Sequence, residues 1–368
     1  MSDDLRKGLL SSRFRSAEPL LGISEDGAAP AEAAPAQAAP TPPCYWNQFF
    51  HSNQQIPARA RGLRFNVYQS LPRAADSSES VPVFVFHHGA GSSALTFAPL
   101  ARELTSRTNC GTFAFDARGH GLTTPLRDQD SVSFYNADFA QDFQFLIEQL
   151  RLNCQDSLPG VNLRFVLVGH SLGGSICASV FSELTPETRA LVTGVAALDV
   201  VEEAAVAALA SVDTFLAKTP SVFPNMTDAI DWHIKKGYSN CRASAEIAIP
   251  ALFRPLPSGK VVRITNLQVF RPYWHTWFTG FSSRFVDLPT AKLLMLAGSD
   301  HLDKQLIVGQ MRGKFQLVVF QESGHFIQED TSIKTAITLL DFYKRNGSKT
   351  VVIKTNWKSR NVKTHNSS

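Results

Sequence analysis

Phe165-Val166-Leu167-Val168-Gly169-His170-Ser171-Leu172-Gly173-Gly174-Ser175-Ile176-Cys177-Ala178 is the stretch on which the reading of this chain turns. Its first four residues are all apolar, two of them β-branched, which predicts a buried strand. Its second half is a run of small residues, which predicts a helix packed closely on its neighbours. Between them, Gly169-His170-Ser171-Leu172-Gly173 fits G-x-S-x-G. A strand that turns at once into a helix forces the middle residue into strained backbone, and the glycines let strand and helix approach without Cβ clashes. Ser171 is thereby held at a helix N-terminus, where N–H groups and the helix dipole favour developing negative charge. Ser171 is the candidate nucleophile.

Outward from this turn, short apolar runs alternate with helical stretches. The predicted strands are Leu63–Tyr68, Val83–Phe86, Thr112–Phe115, Arg164–Val168, Val192–Leu198, Leu293–Ala297 and Phe315–Phe320. Helices are expected between them, for example over Tyr135–Leu150 and Leu172–Leu184. Strand–helix alternation with continuously apolar strands predicts an α/β protein with a mostly parallel central sheet covered by helices on both faces. One interval breaks the rhythm. About ninety residues, 200–288, separate two strands, too many for a crossover. They carry helical segments such as Glu202–Lys218 and Asp228–Lys236 and a Pro-rich passage around Pro250–Pro257, and they read as an inserted helical cap over the strand ends.

The site follows from the same order of elements. An oxyanion hole needs N–H donors aimed at the tetrahedral oxygen. Leu172 N–H, after the nucleophile, is one. The second is expected from the turn after an earlier strand, Phe86-His87-His88-Gly89-Ala90-Gly91, with Ala90 assigned and Gly91 as the near alternative. His325 follows the last predicted strand in Glu322-Ser323-Gly324-His325-Phe326, where a general base belongs in the order serine, acid, histidine. The acid is ambiguous. Asp300 and Asp303 follow the penultimate strand, the commonest location, and position favours Asp300; Asp199 ends the strand before and obeys the same order. Asp116-Ala117-Arg118-Gly119-His120-Gly121 is similar to a D-x-R-G-H-G turn common in α/β-hydrolases, where it supports active-site loops. Together these features predict an α/β-hydrolase fold.

Composition narrows the classes. Of 368 residues, 44% are hydrophobic and 18% charged, the balance of a well-cored globular protein. The formal charge of +4 comes without a basic stripe interleaved with aromatics, which argues against nucleic-acid binding. The five cysteines Cys44, Cys110, Cys154, Cys177 and Cys241 are scattered and form no C-x-x-C pair, as expected of reduced thiols in an intracellular protein. No secretory signal opens the chain and no apolar run is long enough for a membrane helix, so a cytoplasmic or nuclear protein is expected. Residues 1–43, with Gly27 to Pro43 almost entirely Ala and Pro, read as a disordered leader; the hydrolase domain spans 44–345; and 346–368 reads as a basic, solvated tail.

Other segments carry a closer likeness. Trp46-Asn47-Gln48-Phe49-Phe50, Asp199-Val200-Val201-Glu202, Tyr273-Trp274-His275-Thr276-Trp277-Phe278-Thr279-Gly280, Leu302-Asp303-Lys304 and Gly309-Gln310-Met311-Arg312-Gly313-Lys314-Phe315-Gln316 all match motifs of one family. From Trp46 to about Tyr343 the chain resembles protein phosphatase methylesterase. The resemblance implies a Ser171–His325–Asp199 triad, because the family's acid opens its Asp-Val-Val-Glu run, leaving Asp300 and Asp303 structural or partner-facing. It implies removal of a methyl ester from the C-terminal leucine of the protein phosphatase 2A catalytic subunit, free or in its scaffold-containing core enzyme, with no metal or organic cofactor. It also implies a groove for a peptide tail, for which Trp274 and Trp277, with Tyr273 and Phe278, are the lining candidates. The chain departs from the family at Gly89-Ala90-Gly91, where many members carry three glycines, and at Leu172, which replaces a common methionine; neither removes a backbone donor. Two other readings fit the motifs: an esterase or lipase of small esters, and a phosphatase-binding regulator that acts by interaction.

Overall fold

The computed structural model describes residues 45–73, 80–127, 132–298 and 302–347. The Ala/Pro-rich leader, Cys44, Asp300 and the tail from residue 348 lie outside the described residues.

In chain order the strands are β1 (Ser52–Ala58), β2 (Leu63–Ser70), β3 (Ser80–His87), β4 (Gly111–Phe115), β5 (Thr124–Pro125), β6 (Asn162–His170), β7 (Val192–Leu198), β8 (Val222–Phe223), β9 (Phe253–Pro255), β10 (Val261–Arg263), β11 (Ala291–Ala297) and β12 (Gln316–Phe320). The main sheet runs β1-β2-β4-β3-β6-β7-β11-β12, with β5 beside β2. From β4 to β12 the pairings are parallel; β1 and β2 are antiparallel additions at one edge.

Alternation along the strands builds the two cores. Val83, Val85, Phe165, Leu167, Val195, Ala197, Leu294 and Leu296 point to one face, among the side chains of helices Asn136–Ser157 and Leu172–Glu183. Phe84, Phe86, Val166, Val168, Ala196, Leu198, Leu293 and Met295 point to the other, among those of helices Ala98–Arg107 and Ser332–Gly347. Strands buried on both faces need apolar residues at every position, which is why these read as unbroken runs. β1 escaped the sequence reading for the opposite reason. It is a half-exposed edge strand, Ser-Asn-Gln-Gln-Ile-Pro-Ala, paired on one side only, where proline and polar residues are tolerated.

The interval between β7 and β11 holds helices, as read, but also a small antiparallel sheet in the order β8-β10-β9. Its strands of two or three residues are too short to give a period in sequence. Phe223, Ala229, Ile230, Ala245, Ile249, Phe253 and Val261 form a separate core for it. The helix read over Glu202–Lys218 is two helices, Glu202–Leu209 and Val212–Lys218, parted at Ala210-Ser211.

Trp274 and Trp277 belong to the packing of this interval on the main sheet. They are 7% and 2% exposed. Trp277 donates its indole N–H to Phe134 O at 2.7 Å and packs on Phe139 and Phe270, and Trp274 packs edge-on against it. The expected groove-lining pair is therefore buried core; the apolar area of two indoles is taken up inside the protein. Trp277→Ala is expected to destabilise the fold by about 3–5 kcal/mol, through the cavity and the orphaned Phe134 carbonyl. Urea denaturation measures it. No helix among the described residues is long and apolar enough to cross a membrane.

Candidate active site

Three parallel strands end side by side at one edge of the sheet. His170 pairs with Leu198, and Leu198 region with Met295, so residues 171 and 199 leave neighbouring strands at the same level. Ser171 N–H donates to Leu198 O at 2.9 Å, and Asp199 N–H to Met295 O at 2.8 Å, which extends the pairing through both residues. The carboxyl ends of parallel strands are where α/β sheets place their ligands.

Ser171 has φ 51° and ψ −116°, a sparsely populated conformation for a residue with a side chain. The local sequence leaves it no alternative. A Cβ at Gly169 would run into the backbone of Gly173, and one at Gly173 into the carbonyl of His87. Strand, turn and helix are therefore in backbone contact, and the serine occupies the bend. Leu172 begins the helix Leu172–Glu183, whose first N–H groups have no intrahelical acceptor.

Asp199 is the second non-glycine residue with positive φ, at 49°, and its side chain is 1% exposed. That turn aims the carboxylate across the end of β11. One oxygen accepts Ala297 N–H at 2.8 Å, and the other accepts His325 Nδ1–H at 2.6 Å. With Nδ1 protonated toward Asp199, the basic nitrogen is Nε2. The His325 side chain is 45% exposed, while its partner carboxylate is enclosed. Among the described residues Ser171 Oγ and His325 are not hydrogen-bonded to each other; in serine hydrolases this bond forms or shortens as substrate binds. Asp303, the alternative acid, caps helix Lys304–Met311 by accepting Leu306 N–H at 3.0 Å and takes Ser282 Oγ–H at 2.5 Å.

The two oxyanion candidates before the nucleophile differ in what they bond. Gly91 N–H donates to His120 Nε2 at 2.9 Å. His120 Nδ1–H donates to Arg118 O at 2.8 Å, which makes Nε2 the acceptor. Burial holds His120 well below its ordinary pKa, so it stays neutral in that role. Gly91 N–H is thus engaged inside the protein, which favours Ala90 of the two candidates. His88 makes the parallel link, with Nδ1–H to Gly89 O at 2.7 Å and Nε2 accepting Ala117 N–H at 3.0 Å. The Asp116–Gly121 turn therefore braces the Gly89–Gly91 turn through two histidines. Asp116 itself accepts Ala94 N–H, Leu122 N–H and Asn66 Nδ2–H, all within 2.9 Å. Arg118 anchors the turn to helix Asn136–Ser157 by a buried two-point contact with Asp142.

Two features near the base had no signal in the sequence. His170 donates Nε2–H to His325 O at 2.8 Å, and its ring lies 4.6 Å from the His325 ring. Burial first, and the neighbouring His325 second, push His170 down to about 3, so it is a neutral donor. Glu329 is fully enclosed and hydrogen-bonded by Thr96 Oγ1, and burial pushes its carboxyl up to about 8. Between about 4.5 and 8 the folded protein keeps a proton on Glu329 that the unfolded chain has lost, so stability falls as pH rises through that window and levels off above it. Glu329→Gln is expected to remove that slope. Its melting temperature relative to the parent should climb steadily from pH 5 to pH 8; parallel curves would mean that Glu329 is ionised when folded.

A sequence model of the Alpha/beta hydrolase family matches residues 84–335. A Candida glabrata protein phosphatase methylesterase 1 is 47% identical to the chain, over 98% of this chain and 100% of that protein. A Saccharomyces cerevisiae protein phosphatase methylesterase 1 is 52% identical, over 85% of this chain and 79% of that one. Among solved structures, E-2-(acetamidomethylene)succinate hydrolase superposes with a TM-score of 0.61 at 20% identity, covering 80% of this chain and 99% of that chain, a likeness of fold.

Proposed function

We propose, because this chain belongs to the protein phosphatase methylesterase family of α/β-hydrolases, that it removes the methyl ester from the C-terminal leucine of a protein phosphatase 2A catalytic subunit. The observation that carries the chemistry is the 2.6 Å bond from His325 Nδ1 to the buried Asp199, at the strand edge where Ser171 sits in its turn. His325 Nε2 takes the Ser171 proton as Oγ attacks the ester carbonyl. Leu172 and Ala90 N–H groups hold the oxyanion. Asp199 keeps Nδ1 protonated and stabilises the imidazolium. That imidazolium returns its proton to the departing methoxide, so methanol leaves and an acyl-enzyme remains. Water, deprotonated by His325, then attacks the acyl carbonyl, and the free carboxylate and Ser171 hydroxyl are restored. The protein substrate is a folded phosphatase, alone or with its scaffold subunit.

The test is a peptide ending in leucine methyl ester, set beside p-nitrophenyl acetate and butyrate. Loss of one methylene from the peptide mass, faster on the phosphatase tail than on a scrambled tail, supports the reading. Rapid turnover of the nitrophenyl esters with none of the peptide supports a small-ester esterase instead.

A further inference from the structure

We propose that Asp330 is a positioning residue for the base, clamping the backbone of the Gly324–His325 turn to the Asn240–Cys241 turn of the segment inserted between β7 and β11. One Asp330 oxygen accepts Asn240 N–H at 2.7 Å and Cys241 N–H at 3.2 Å. The other accepts Gly324 N–H at 2.8 Å, one residue before His325. Both oxygens accept and neither donates, the pattern of an ionised carboxylate. The three partners are backbone groups 6 to 90 residues away in the chain, so the carboxylate joins segments that share no strand pairing.

The turn is tight on that side. A Cβ at Gly324 would crowd the Asn240 amide and the Asp330 carboxylate. On its other side, His325 O receives the His170 Nε2–H at 2.8 Å. The backbone on the two sides of His325 is thus held from two directions: at His325 O by the residue beside the nucleophile, and at Gly324 N–H by the carboxylate that also holds the inserted segment. Asp199 limits the imidazole's own rotation at Nδ1. A shift of the Asn240–Cys241 turn therefore acts on the base through Asp330.

The clamp also adds charge. Burial raises the Asp330 carboxyl from its ordinary value, and the three N–H donors and His325 oppose that rise. The groups facing this cluster are Asp199 and the neutral His170 around the imidazole, and Glu329, buried and protonated below about 8, beside Asp330. Asp330 therefore meets His325 through charge as well as through the backbone of its turn.

The proposal rests on His325 being the base for Ser171. The experiment measures the rate at which a fluorophosphonate labels Ser171 from pH 5 to pH 9, in the full chain and in Asp330→Asn, Asp330→Glu and Ser244→Ala. Ser244→Ala removes neighbouring bonds at the same contact, Ser244 Oγ to Glu329 O and to Cys241 Sγ, without touching the His325 turn or the backbone groups that Asp330 holds. Asp330→Asn is expected to label about tenfold more slowly at the plateau, with the midpoint lowered by a few tenths of a pH unit. Asp330→Glu is expected to label slowly with the parent midpoint, and Ser244→Ala at the parent rate. Should Asp330→Asn not fold, Asp330→Glu decides: slow labelling with cooperative melting supports the clamp, and the parent rate overturns it. Parent rate and midpoint in folded Asp330→Asn, or equal slowing in Ser244→Ala with no midpoint shift, also overturn it. Failure of the parent chain to label overturns the triad reading itself, and the clamp with it.

Discussion

Ser171→Ala is expected to lower kcat for ester hydrolysis by about 10⁶ and to leave the fold intact. The size follows from the chemistry. Without Oγ there is no acyl-enzyme, and His325 and Asp199 have no nucleophile to activate, so the whole unit fails together. The fold survives because alanine keeps the Cβ and the same backbone. The strain at φ 51° is imposed by the contacts of Gly169 and Gly173 with their neighbours, not by the hydroxyl. The melting temperature should move by less than about 2 °C, the scale of a substitution that deletes no packed atom. Thermal unfolding beside a single-turnover assay checks both halves.

Asp199→Asn is expected to cost about 10⁴ in kcat. Asp199 serves two donors at once, Ala297 N–H and His325 Nδ1–H. An asparagine has one acceptor. If its oxygen stays on the buried Ala297 amide, its NH2 faces His325 and needs an acceptor there. The imidazole then protonates at Nε2 and holds a lone pair at Nδ1, the tautomer that cannot take the Ser171 proton. If the amide flips, two N–H groups oppose each other at Ala297 and the strand end is destabilised instead. The first arrangement, which keeps the buried Ala297 amide paired, is the expected one, so the base is lost and the pH–rate profile should flatten along with the fall in rate. Asp303→Asn separates this from a rival acid. Asp303 caps helix Lys304–Met311 and takes Ser282 Oγ–H, so its loss should appear in melting temperature with activity per folded molecule kept within a few-fold.

The parts legible in the sequence are those where local chemistry leaves one option. β6 and the helix after Ser171 were readable because a strand buried on both faces is apolar throughout and because the turn between them needs glycine at both ends. His325 is the candidate base by its place after β12, and the structure sets it against Asp199. The acid was not readable from position, since Asp199, Asp300 and Asp303 satisfy one chain order; the family resemblance pointed to Asp199. The structure sets Asp199 against His325 through a left-handed turn that reaches across the end of β11, a geometry with no one-dimensional trace. Ala90 and Gly91 were equivalent for the same reason: His120, 29 residues from Gly91, decides which amide is engaged. The tryptophans misled because an aromatic cluster has the same composition whether it lines a groove or fills a core, and burial at 2% for Trp277 is a fact of packing. His170 and Asp330 were invisible because they act on backbone groups of distant segments, and backbone groups carry no sequence signal.

The most direct test of the account uses the substrate as a folded protein. Purified chain is incubated with carboxymethylated protein phosphatase 2A core enzyme, and methyl-group release is followed beside the Ser171→Ala variant. The account predicts methanol release by the parent chain and none by Ser171→Ala, with the catalytic subunit's C-terminal leucine recovered as a free carboxylate. Release that persists in Ser171→Ala, or a parent chain that labels with fluorophosphonate yet leaves the methyl ester in place, contradicts it.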